Sequence, residues 1–152
     1  MTTATMEPPR TARPASDARI LVFSTNNISD PGIDLAGSSH MHYSPGVRVI
    51  NLPCTSGIRP SWILRALDAG FDGVFIASDG DECAYLPDCG KRSARVVGEA
   101  QATMKERGLD PNRVRMAAIC SVCAEPFTKH VTGFSSVLAE MGPVQPGPAA
   151  AR

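Results

Sequence analysis

Short β-branched runs alternate with stretches of helical spacing along this chain, and that alternation predicts its elements. Residues 19–24 (RILVFS) read as a strand, and residues 25–32, full of Asn, Ser, Asp, Pro and Gly, as the loop that follows. A brief helix is expected over 33–38, then a second strand over 47–52 that Pro53 stops. Ser61 is read as the N-cap of a helix whose Ile63, Leu64 and Leu67 recur at helical spacing until Gly70. Residues 73–77 (GVFIA) form a continuous apolar run, as expected of a strand covered on both faces. After a polar loop over 78–90, residues 91–107 predict an amphipathic helix with Ala94, Val97, Ala100 or Gln101, and Met104 as its stripe and Gly108 as its C-cap. A fourth strand over 114–119 and a last helix over 126–141 complete the set.

Strands alternating with helices imply an α/β domain with a mostly parallel sheet and helices on both faces, a flavodoxin-like three-layer architecture. The domain is expected over 19–142, with a disordered lead-in over 1–18 and a disordered tail over 143–152, where Thr, Ala, Pro and Gly dominate. In open α/β sheets the carboxyl ends of the strands carry the site. The strands here lead to Ser24, Cys54, Ser78 and Cys120, so residues far apart in sequence converge on one rim.

The chain's five cysteines, Cys54, Cys83, Cys89, Cys120 and Cys123, all fall in those rim windows. Gathered thiolates suit an iron–sulfur cluster or zinc, because soft sulfur ligands select such centres. Cys120-Ser-Val-Cys123 is a CxxC step that could serve one metal or act as a dithiol switch at a helix start. Plain burial of free thiols is the bland alternative. His40 and His42 read as surface or capping residues, and His130 as an exposed helix position. Asp79, Asp81 and Glu82 read as a solvated acidic turn, since they lack the oxygen spacing of a calcium loop. Trp62 and Phe127 are expected to be core or interface anchors.

Composition narrows the function classes. Fifteen basic and fifteen acidic side chains cancel, and no basic stripe interleaved with aromatics appears, which argues against nucleic acid as a partner. The apolar runs are too short to span a bilayer, and the first 18 residues lack a signal-like apolar stretch. A cytoplasmic protein is expected. An odd cysteine count in a reducing compartment argues against a disulfide framework. No glycine-rich phosphate cradle follows the first strand, so nucleotide or flavin binding is not expected.

Several stretches, taken in order, resemble the methyl-viologen-reducing hydrogenase delta-subunit family. They are Val22-Phe23 with GIDLAG at 32–37, YSPGVRVI at 43–50, CTSGIRP at 54–60, GFDGV at 70–74 and GDECAY at 80–85, continuing from Arg113-Val114-Arg115 to Phe127. The resemblance implies a small subunit holding a [2Fe-2S] cluster, without catalysis of its own. Such a subunit passes electrons between a hydrogenase or formate dehydrogenase module and a flavin-containing heterodisulfide-reductase-like subunit. Cys54 and Cys83 match ligand positions of the family, whereas Ser24, Ile28 and Ser78 stand where it has cysteine. The expected ligand set is therefore Cys54, Cys83, Cys120 and Cys123, with Cys89 as a substitute. The alternative is a docking subunit that has lost its cluster.

Overall fold

The computed structural model describes residues 14–81 and 83–145, and the expectations for residues 1–13, for Glu82 and for residues 146–152 lie outside them. Four parallel strands, β1 (Ile20–Thr25), β2 (Val47–Leu52), β3 (Gly73–Ser78) and β4 (Val114–Ala118), form one sheet in the order β2-β1-β3-β4. Helices α1 (Ser29–Ser38), α2 (Pro60–Asp68), α3 (Cys89–Glu106) and α4 (Ala124–Met141) cover it. The fold is flavodoxin-like, as the alternation predicts.

The pleat sends successive side chains to opposite faces, which explains why β1 and β3 are buried throughout. On one face Ile20, Val22, Phe75 and Ala77 pack with Ile33 and Ala36 of α1 and with Phe127, Val131, Phe134 and Leu138 of α4. On the other, Leu21, Phe23, Val74 and Ile76 meet Ile63 and Leu67 of α2 and Val97, Ala100 and Met104 of α3. Burying each of these larger side chains contributes roughly 1.5–3 kcal/mol. β2 is an edge strand with its central residues exposed, Val49 and Ile50 among them, and Trp62 of α2 stands half out of the surface nearby. Trp62 is thus no core residue. It tilts over Phe23, beside a shallow apolar groove of about 350 Å³ lined by Phe23, Ile50, Leu52 and Trp62.

Three helix starts differ from expectation for one reason. Local pattern puts Pro31 in the loop before α1 and makes Pro126 the first residue of α4, yet each is the third residue of its helix. The first turn of a helix needs no N–H donor there, so proline is tolerated. At α2, likewise, Pro60 opens the helix and Arg59 is its N-cap, which leaves Ser61 inside the first turn.

Candidate functional site

The chain leaves the sheet at its carboxyl rim four times, and the connections after β1, β2 and β3 gather the free thiols. β1 ends at Thr25, whose backbone N–H donates to Ser29 Oγ at 2.7 Å, while the Ser29 N–H donates back to Thr25 Oγ1 at 3.0 Å. This reciprocal pair closes the turn into α1. After β2 a 3-10 turn over Thr55–Gly57, preceded by Cys54, brings Thr55 Oγ1 within 3.1 Å of Ser93 Oγ on α3. β3 runs on into the buried Asp79, and a turn-rich loop carries Cys83 before Cys89 opens α3. Strand order reverses between β1 and β3, which is the switch point where open α/β sheets place their ligands.

Three free thiols converge there. The sulfurs of Cys54 and Cys89 lie 3.5 Å apart. Cys83 Sγ donates to Asp79 Oδ2 at 3.3 Å, and one donor atom each from Asp79, Cys83 and Cys89 lies within 4.8 Å of the others. Thr25 Oγ1 donates to Asp79 Oδ1 at 2.5 Å. Asp79, Cys83 and Cys89 are all buried, and Cys54 is partly so. Metal–sulfur bonds of about 2.3 Å put two thiolates of one tetrahedral ion about 3.8 Å apart, so the Cys54–Cys89 spacing is compatible with ligation of one centre, while Cys54 lies outside the 4.8 Å group formed by Asp79, Cys83 and Cys89.

Electrostatics divide the close pair. Burial pushes the Cys54 thiol up, but hydrogen bonds from the Ser56 side chain and backbone and from Cys89 outweigh it and hold Cys54 below the ordinary thiol value. Burial pushes Cys89 up; the Thr55 hydroxyl opposes this, while Cys54 and the Asp79 carboxylate add to it. Cys54 is therefore the more acidic thiol of the pair, and Cys89 the less acidic.

Cys120 and Cys123 are not brought to this cluster. They are bonded to each other in a disulfide just before α4. β4 and β2 are opposite edges of the sheet, three strand spacings or about 14 Å apart. A methyl on Gly32 of α1 would collide with the Cys120 carbonyl, which puts the bonded turn against α1, on the α1/α4 face. Asp79, expected in a solvated turn, is only 4% exposed, whereas Asp81 is exposed. His40, His42 and His130 are exposed, as expected, and Phe127 is a core residue. Ser24 donates to Asp30 Oδ1 at 2.8 Å, and Ser78 to the Ala117 carbonyl at 3.4 Å, so both buried serines act as structural donors.

A family model described as methyl-viologen-reducing hydrogenase, delta subunit, matches residues 20–142. The chain belongs to that family. A ferredoxin:CoB-CoM heterodisulfide reductase subunit of Methanosarcina mazei is 36% identical over 129 residues, 82% of this chain and 16% of that protein. This chain thus spans a small part of that relative's length. An F420-non-reducing hydrogenase vhu iron-sulfur subunit of Methanocaldococcus jannaschii is 30% identical over 128 residues, 84% of this chain and 95% of its own. Its counterpart in Methanopyrus kandleri is 33% identical over 112 residues, 73% of this chain and 84% of its own.

Asp79, Cys83 and Cys89 lie close enough together to hold a metal, and Cys54 stands beside Cys89; sulfur donors of this kind suit an iron–sulfur or zinc centre. Among the described residues no helix is long and apolar enough to cross a membrane.

Proposed function

We propose that this chain is a non-catalytic electron-transfer subunit with an iron–sulfur centre on Cys54, Cys83 and Cys89, working beside hydrogenase and heterodisulfide-reductase-like partners. The observation that carries the reading is the convergence of three free thiols at the switch point of the sheet. Family membership and the iron–sulfur subunits among the relatives support it. An iron–sulfur centre held there supplies storage for single electrons. The chain's own residues position and tune: Ser56 holds the Cys54 sulfur at 2.9 Å, Thr55 faces Cys89 at 3.8 Å, and burial of Cys83 and Cys89 keeps water from the sulfurs. Cys54, the least buried of the three, is the natural point of electron entry or exit.

The test is anaerobic purification of the chain with its partners, followed by iron, acid-labile sulfide and EPR measurements. Iron and sulfide in the complex, lost in Cys83→Ser, are the expected result. An intact, active complex without iron overturns the relay. It would leave a docking role, the second reading, which the exposed apolar residues Val49, Ile50 and Trp62 along the β2 edge favour.

A further inference from the structure

The buried carboxylate of Asp79 lies beside the thiols, and the ion pairs among the described residues leave its charge unmatched. We propose that Asp79 is the fourth ligand of the centre, offering one carboxylate oxygen beside the sulfurs of Cys54, Cys83 and Cys89. The assignment rests on the thiol-centre reading above and names its missing donor.

The geometry gives the two oxygens of Asp79 different tasks. Oδ1 takes the Thr25 hydroxyl, and that hydroxyl is fixed in turn by Ser29, whose own Oγ donates to the Ala77 carbonyl at 2.8 Å. Outer hydrogen bonds of this kind orient a ligating group. Oδ2 faces the Cys83 sulfur. When a metal replaces the Cys83 proton, which leaves to solvent, Cys83 no longer donates to Oδ2, and that oxygen is then free to bind the same ion. Binding a divalent ion releases three protons, one from each thiol, while the carboxylate has none to lose. Aspartate thus supplies the negative charge a fourth thiolate would have supplied. Ser78, the neighbouring candidate, would have to become an alkoxide and is instead turned to the Ala117 carbonyl. One oxygen of Asp79 and the sulfurs of Cys83 and Cys89, all buried, lie within 4.8 Å of one another, close enough for one cation to be shared among them.

Cobalt tests this without reference to activity. The reduced, metal-free full chain is titrated with Co2+ under anaerobic conditions, and sulfur-to-cobalt charge-transfer and tetrahedral ligand-field bands are followed. Wild type should take up one Co2+ per chain. Asp79→Asn should bind at least on the order of 100-fold more weakly, since a direct ligand should cost no less than the outer partners whose loss costs up to that much. Asp79→Cys should bind with stronger charge-transfer absorption and a ligand-field band moved to longer wavelength, as a fourth sulfur requires. Should Asp79→Asn fail to fold by circular dichroism, the cysteine variant carries the test. Wild-type affinity and spectra in the variants overturn the assignment, as does a wild-type chain that takes up no Co2+. Iron and sulfide in the native complex with unchanged variant spectra remove Asp79 alone and leave the three-thiol centre; an active complex without iron removes that centre itself.

Discussion

Asp72 and Asp79 bracket β3, and both carboxylates are buried, at 1% and 4% exposure. Asp72, at the amino end, is surrounded by donors. The Arg19 N–H reaches Oδ2 at 2.8 Å and the Val144 N–H reaches Oδ1 at 3.0 Å, while Arg113 ties the Asp72 and Gly142 carbonyls together at 3.0 Å each. Asp79, at the carboxyl end, accepts from one hydroxyl and the Cys83 thiol, with Cys89 close by. The first arrangement fastens the end of the chain to the sheet and is complete in itself. The second, on the reading proposed above, is completed by a cation. A buried charge therefore marks structure or function according to what surrounds it.

The largest effect should come from Asp72→Ala, which strands the buried Val144 N–H and the part-buried Arg19 N–H. Urea unfolding should show a loss of about 4 kcal/mol with Co2+ uptake unchanged, and an equal loss in Asp79→Asn would erase the contrast between the two ends. Gly73→Ala, beside Asp72, puts a methyl 2.6 Å from Phe134 and 2.7 Å from Leu138. Overpacking there should cost about 2 kcal/mol in the same assay, again without touching metal uptake. Asp79→Asn in the metal-free chain should change stability by less than about 1 kcal/mol, because it removes a buried charge along with one hydrogen bond.

The smallest effect is a matter of order. Cys54 sits below the ordinary thiol value and Cys89 above it. As pH rises, the thiolate needed for alkylation appears first at Cys54 and later at Cys89. Iodoacetamide mapping of the metal-free chain should follow that sequence, with Cys120 and Cys123 unlabelled until a reductant opens their bond. Simultaneous labelling of Cys54 and Cys89 would show that the hydrogen bonds around Cys54 do not separate the pair.

Local pattern carries most of the fold. The bounds expected for the second strand match β2 residue for residue, and Gly70 and Gly108 follow their helices with positive φ of 93° and 73°. The differences lie where a residue's local preference has two readings, as with the prolines in the first turns of α1 and α4. The buried stripe of α3 departs from its expected course at a polar member. Ser93 is buried through its contact with Thr55, whereas Ala94 faces solvent. Hydropathy cannot reveal a serine buried by its partner. For the same reason Asp79 reads as solvated, since its burial depends on Thr25, which arrives from the end of β1, and on the fold of its own loop, which brings Cys83 back onto it.

Periodicity and chain direction are enough to dictate that strands and helices alternate, that the sheet is parallel and that every cysteine falls near its carboxyl rim. The family's signature is also legible in the order of residues. Which thiols meet is a matter of three dimensions. Strand order sets β2 and β4 at opposite edges, the turn after β2 leads Cys54 back to α3, and the connection after β4 closes Cys120 on Cys123. A rim is a line with two ends and two faces, and sharing it does not bring side chains into contact.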